Sequence, residues 1–351
     1  MSTYDAVADL PLEIESYDLE GRSQDVSSAF TRNTTVIRLR GRGTDGVGED
    51  VTYDADDQLA LQDAGPELPL AGSHTLDSFS RLIATLSLFP EGPRRPAGEH
   101  YRRWAYESAA LDLALRQAER SLAAVLERRA LPVTYVVSTR LAEPPTTRRL
   151  QRLRELYPGL CFKLDPTSSW TDELVAELHE MGAVVAVDFK GYYTGTVVDQ
   201  APDAALYERV AKGLPDAWIE DPAMTPETER VLEPYRDRIT WDAPIHSVAD
   251  IEARPFPPRM INVKPSRFGS VQALFATYDY LAERGIEPYG GGQFELGPGR
   301  GQIQYLASVF HPDAPNDVAP GGFNDPDPRP GLPPSPLEPR LSSTGFRWDG
   351  D

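Results

Sequence analysis

A single cysteine, Cys161, excludes an internal disulfide framework and suits a reducing compartment. Lysine is almost as scarce. Of 35 basic side chains only Lys163, Lys190, Lys212 and Lys264 are lysine, which leaves 31 arginines. Positive charge as a whole is short, at a net −19 with histidine neutral, and this weighs against nucleic-acid and anionic-membrane partners. No apolar run approaches membrane-spanning length, and the opening "MSTYDAVADLPLEIESYDLEG" is acidic with no apolar signal core. A cytoplasmic protein is expected. The lysine shortage has a second consequence. Arginine stays protonated under ordinary conditions, whereas a lysine pKa can be lowered by burial or a neighbouring charge. A lysine kept against this bias is a candidate base.

What is present is a repeated pattern. From about residue 131, apolar strand-like runs alternate with amphipathic stretches: "VTYVVS" (133–138), "LCFKLD" (160–165), "AVVAVDF" (183–189), "AWIED" (217–221), "RITWDA" (238–243), "MINVK" (260–264) and "IEPYGGG" (286–292). Between them, "TTRRLQRLRELY", "SSWTDELVAELHEMG" and "SVQALFATYDYLAERG" read as helices, with Ser168 or Ser169 as an N-cap and Gly182 and Gly285 as stops. Strand–helix alternation implies parallel strands with crossover helices, and seven or eight units favour a closed (β/α) barrel. The first part differs. "TTVIRLRGRGTDGVGEDVTYD" has the alternation and Gly-rich turn of a hairpin, followed by helical "LDSFSRLIATLSLF" and "RRWAYESAALDLALRQAERSLAAVLERR". The expected division is an α+β domain over 1–130, a barrel over 131–325 and a proline-rich segment, 326–351, returning toward the first domain. "GPGRGQ" at 297–302 lacks the lysine and the serine or threonine of a P-loop.

The strand ends carry the chemistry. Asp165, Asp188, Glu220 and Asp242 close the second to fifth runs and Lys264 the sixth. In a parallel barrel these ends share one rim, where active sites form. One acid after a strand is ordinarily a helix N-cap. Three at 188, 220 and 242 would repel one another unless a proton or cation neutralised them. Three carboxylates suit Mg²⁺, a hard ion preferring oxygen, and the five scattered histidines offer no zinc spacing. Lys163, Lys190 and Lys264 flank the same rim, where a lysine base could take a proton beside a carboxylate.

These blocks resemble the enolase superfamily, in particular its mandelate racemase and muconate-lactonizing branch. "VIRLRGRGTDGVGED" is similar to the family's capping hairpin, and "ESAALDLALRQAERSLAAVL" to the helix that leads into the barrel. "FKLD", "VDFKG", "WIEDPA", "TWDAPIHS" and "INVKPSRFGS" follow in family order. The resemblance implies an α+β capping domain over a modified (β/α)₇β TIM-type barrel. It also implies Mg²⁺ held by Asp188, Glu220 and Asp242, and Lys264 as an acid/base on one side of a small carboxylate substrate.

There are departures. The family's second-strand Lys-x-Lys reads Lys163-Leu-Asp165, and its Asp-x-Asn reads Asp188-Phe-Lys190. Either lysine function moves one strand over, to Lys190, or Lys190 and Asp165 form a structural salt bridge. The seventh strand lacks the racemase-like His-Asp arrangement and offers Gln293 and Glu295 as substrate contacts. Arg32 sits where the mobile capping loop would reach a second substrate anion. The expected enzyme is an Mg²⁺-dependent lyase or isomerase, tilted toward one-base elimination or cycloisomerisation and expected to be a homo-oligomer. A racemase or epimerase, a catalytically silent binder of the same fold, and an unrelated barrel with structural acids are the alternatives.

Overall fold

The computed structural model describes residues 2–27, 30–193, 195, 199–325 and 327–348. The first domain contains strands β1 (Pro11–Ile14), β2 (Ser16–Ser27), β3 (Phe30–Gly41), β4 (Thr44–Asp50) and β5 (Gly72–Thr75). β2, β3 and β4 form an antiparallel sheet, and β1 pairs with β5. The expected hairpin is β3–β4. Its two-residue turn, Arg42 and Gly43, has φ of 55° and 73°, the left-handed pair that matches strand twist. The helix Ala97–Gln117 lies against β4, where a Cβ at Gly46 or Gly48 would strike the helix backbone at Ala109 and Ala105. Glycine at these positions lets sheet and helix backbones approach closely.

The second domain is a ring of parallel strands. β6 (Val136–Thr139), β7 (Cys161–Leu164), β8 (Val184–Asp188), β9 (Trp218–Glu220) and β10 (Ile239–Thr240) are hydrogen-bonded in order, and β11 (Met260–Val263) pairs with β12 (Glu287–Gly290). A bridge from Trp241 to Ile261 joins the two groups. Bridges from Gly291 to Asp317 and from Tyr135 to Asn316 place residues 316–317 in the eighth position and close the barrel. Asn316 makes this closure without a regular strand. Its Oδ1 accepts from Gly290 N at 2.6 Å, and its Nδ2 donates to carbonyls of Thr134, His311 and Ala314, each at 2.9 Å.

Several local expectations change. Neither Ser168 nor Ser169 caps the helix Asp172–Met181; Thr171 does, its side chain accepting from Leu174 N. Gly182 and Gly285 do terminate their helices, at φ of 61° and 65°. The long helix expected through residue 129 stops at Gln117. Glu119 takes φ of 53°, Arg120 N bonds back to Leu115 O, and Ser121 caps a separate short helix, Leu122–Val125. Beyond the helix Pro298–Phe310 the chain has no further helix or strand among the described residues, yet it is anchored. Leu337 pairs with Val133, Phe346 and Trp348 are buried, and Arg347 bonds Asp112 of the cap helix at 2.8 Å.

His311 bonds Asn316 Oδ1 through Nδ1 at 2.7 Å and Tyr278 through Nε2 at 3.0 Å. The neutral ring can satisfy both, donating from Nδ1 and accepting at Nε2. Burial pushes its pKa down from 6.5 to about 4, against the smaller upward pull of Asn316. The folded value is depressed, so as pH falls the unfolded chain takes up the proton first. Stability is therefore expected to fall from pH 6.5 to pH 4, by about 3 kcal/mol from this group. Urea unfolding of wild type and His311→Gln across that window should show a shallower acid loss in the variant. Equal slopes would mean His311 is not the titrating group.

Candidate metal centre

β8, β9 and β10 deliver their terminal acids to one point because each strand is a short apolar run whose next inward-facing position is charged. Asp188, Glu220 and Asp242 are each fully buried, and ligand oxygens from the three lie within 4.8 Å of one another. Among the described residues no other trio of histidine, cysteine or acid side chains is close enough to share an ion. Each acid has its own lysine. Lys163 bonds Glu220 and lies 3.2 Å from Asp188; Lys190 bonds Asp188; Lys264 donates to Asp242 at 2.8 Å. Arg267 bonds Asp242 Oδ1 at 2.7 Å and also its carbonyl. Tyr193 and Tyr289 donate to Asp242 and Glu220 at 3.2 and 2.7 Å.

Charge accounting gives this rim its character. Asp165, Asp188, Glu220, Asp242 and Asp317 face Lys163, Lys190, Lys264 and Arg267. Asp221, which burial pushes up to about 7, accepts from the N–H groups of Asp242 and Ala243. Fully ionised, the five acids exceed the four cations by one, so the rim favours an added cation. Arg140, 3.9 Å from Asp165, is a third exposed and offsets little. The donor set is three carboxylates with no sulfur or imidazole, which fits a hard, oxygen-seeking ion such as Mg²⁺.

The same neighbours set the pKa values. Burial would raise Asp188, but Lys190 and Lys163 hold it far below the usual range; Asp242 is held down likewise by Arg267 and Lys264. Glu220 is pushed up by burial and by Asp188 and Asp242, despite Lys163. Burial alone would lower Lys163 and Lys190, but the surrounding acids raise both. Lys264 is the exception. Burial lowers it, Asp242 opposes, and Arg267 and Lys163 push it down further.

The remaining sequence candidates divide. Asp165 follows β7, and Lys190 Nζ lies 3.6 Å from its Oδ1. Lys190 lies beyond the strand, at φ of 55°, so it meets Asp188 by a tight turn and not by strand alternation. Arg32, Gln293 and Glu295 gather at the joint between cap and barrel. Arg32 is fully buried and donates to the carbonyls of Val51, Thr52, Gln293 and Phe294, so its guanidinium acts as a clasp. Gln293 donates to Tyr101 at 3.1 Å, and Glu295 accepts from Gln293 N at 2.6 Å. Sequence reasoning gave no role to Arg267, Asp221, Tyr193, Tyr289 or Asp317. Arg267 and Asp221 lie inside the motif blocks "INVKPSRFGS" and "WIEDPA", one helical turn and one residue from assigned positions, which was an available signal.

Family models described as the N-terminal and C-terminal domains of a domain of unknown function, DUF8230, match residues 5–125 and 129–325. The chain belongs to this family. No curated protein matches its sequence. Among solved structures, a member of the enolase superfamily from Listeria innocua superposes with a TM-score of 0.67 at 20% identity, over 88% of this chain and 86% of that one. A dipeptide epimerase from Methylococcus capsulatus, bound to Mg and the dipeptide L-Arg-D-Lys, gives 0.65 at 19%, over 89% and 92%. A muconate cycloisomerase from Pseudomonas fluorescens gives 0.60 at 20%, over 88% and 87%. The chain thus has the fold that these structures share, a TIM-type barrel under an α+β cap. No helix among the described residues is long and apolar enough to cross a membrane.

Glu220→Gln removes one ligand charge and one of the two acids that Lys163 contacts most closely. Calorimetric titration of this variant with MgCl₂ should show no binding under conditions where wild type binds one ion, with the circular dichroism spectrum unchanged. Wild-type affinity in the variant would refute the cage.

Proposed function

We propose that the protein is an Mg²⁺-dependent enzyme that removes the proton α to a substrate carboxylate, with elimination or cycloisomerisation of a small carboxylic or hydroxy acid as the outcome. One observation carries the reading. Lys264, the one rim lysine with a lowered pKa, stands at the carboxylate trio and across the barrel from β7. Asp188, Glu220 and Asp242 would hold the ion, which supplies positive charge to stabilise the charge that develops on the substrate carboxylate.

The chain's own side chains do the rest. Lys264, as the neutral amine, takes the α-proton; burial, helped by Arg267, keeps its pKa low, and Arg267 fixes Asp242 from the other side. Lys163 spans Glu220 and Asp188, and Lys190 fixes Asp188, so both set the spacing of the ligand oxygens. Gly291 provides the room. A Cβ there would come within 2.7 Å of both Lys264 Cε and Asn262 Oδ1.

The direct test is exchange of α-hydrogen in D₂O with Mg²⁺ present, across small hydroxy, sugar and amino-acid-derived carboxylates. Wild type should exchange at least one of them. Lys264→Ala should lose about 100-fold or more while keeping Mg²⁺ binding. Lys264→Arg should be nearly as damaging, because arginine keeps its proton. Exchange retained in either variant would move the base elsewhere. Wild type silent toward every acid would favour the non-catalytic binder.

A further inference from the structure

We propose that Lys190 and Asp165 form a two-position counter-ion for the metal centre. The Lys190 ammonium leaves Asp188 for Asp165 when an ion takes the trio, and Asp165 thereby sets how tightly that ion is held. Both are positioning residues that act through Asp188, and neither is a ligand. This rests on the trio as the ion's site and is independent of which side chain takes the substrate proton.

The first ground is competition for one oxygen. Lys190 holds Asp188 twice, its backbone N–H donating to Oδ1 at 3.0 Å and its ammonium bonding Oδ2. An ion held by all three acids needs an oxygen of Asp188, and Oδ2 is the one not committed to backbone. An ammonium and a divalent cation on the same oxygen would stand only a few ångströms apart and repel strongly among buried groups. The Lys190 side chain therefore has to release Oδ2, while its N–H keeps Asp188 aimed through Oδ1. Lys163 also lies 3.2 Å from Oδ2, but it is bonded to Glu220, has Asp317 3.5 Å away and is 2% exposed, against 13% for Lys190. Lys190 is the one with room to move.

The second ground is the place that receives it. Asp165 Oδ1 is shielded from solvent, has no hydrogen-bond partner and lies 3.6 Å from Lys190 Nζ, just beyond bonding distance. Buried carboxylate oxygens are normally satisfied. A small rotation of the lysine stem would close that gap. The backbone cannot make the move instead. Lys190 O accepts from Tyr193 N at 3.1 Å, Gly191 N donates to Asp221 O at 2.9 Å, and a Cβ at Gly191 would come within 2.3 Å of Ala223 N. With the side chain on Asp165, its charge is paired there and no longer opposes an ion at Asp188. The two sequence departures, Asp165 at the end of β7 and Lys190 after β8, thus form one arrangement.

A double-mutant cycle read by Mg²⁺ affinity separates this role from a static salt bridge. Wild type, Lys190→Met, Asp165→Asn and the double variant would each be titrated calorimetrically with MgCl₂. Lys190→Met removes the competitor and should bind Mg²⁺ about 10-fold more tightly than wild type. Asp165→Asn strands the ammonium at Asp188 and should bind about 10-fold more weakly. In the double variant the loss at Asp165 should vanish, leaving an affinity within about threefold of Lys190→Met alone. A carboxylate acting only through its field, or a salt bridge that never moves, gives additive effects and returns the double variant to near wild type. That result would overturn the proposal. Unchanged or weaker affinity in Lys190→Met would overturn it too, whether or not Asp165→Asn folds. Wild type that binds no Mg²⁺ would overturn the trio as an ion site and this inference with it, whereas wild-type binding with additive variants overturns the counter-ion alone.

Discussion

Everything in this molecule answers to one electrostatic constraint: three fully buried carboxylates, on consecutive strands, brought to one point. An ionised carboxylate taken out of water costs several kcal/mol even after relaxation, and neighbours of like sign add to it. The observed solution is a lattice of opposite charges. Each ligand acid has its own lysine, Arg267 doubles the hold on Asp242, and two tyrosine hydroxyls take remaining oxygens. This explains why a chain that writes nearly every cation as arginine places three of its four lysines here. A compact ammonium on a flexible stem reaches between crowded acids, where a planar fork demands more room.

The scaffold keeps that lattice in place by joints that are polar and buried. Asn316 closes the ring with four hydrogen bonds to backbone groups where no regular strand exists. Arg32 pins the cap to the loop after β12. Glu49 reaches from β4 to accept from the N–H groups of Leu296, Gly297 and Gly299 at the start of the helix Pro298–Phe310. "GPGRGQ" is therefore a glycine-lined seat for a carboxylate of the protein itself, and a Cβ at Gly299 would come within 2.8 Å of that carboxylate. These clasps join the cap to the segment that follows β12.

What the sequence made legible follows the range of the forces involved. Seven barrel strands could be read because each is an apolar run, and the second to sixth end in a charge: Asp165, Asp188, Glu220, Asp242 and Lys264. The eighth position could not, because "PNDVAP" has no apolar run and is held by one asparagine's tertiary bonds. Asp317 was hidden with it, although it lies 3.5 Å from Lys163. Arg32 read as a loop residue reaching for an anion, but its partners are carbonyls far away in sequence, which no local pattern encodes. Lys190 was placed with Asp188 by strand alternation. They do meet, through a left-handed turn that the "FKG" tripeptide only hints at. The helix break at Glu119 was equally hidden, since a run of good helix formers continues across it.

The central claim is that the three strand-end acids act together as one cation site with Lys264 beside it. Anomalous diffraction from crystals soaked in MnCl₂, with Mn²⁺ as a visible stand-in for Mg²⁺, tests it most directly. The account predicts one strong peak bonded by Asp188, Glu220 and Asp242 together, with the Lys264 nitrogen on the open side of the ion. A protein that takes up no manganese there, or binds it at other residues while the trio stays closed on its lysines, would contradict it.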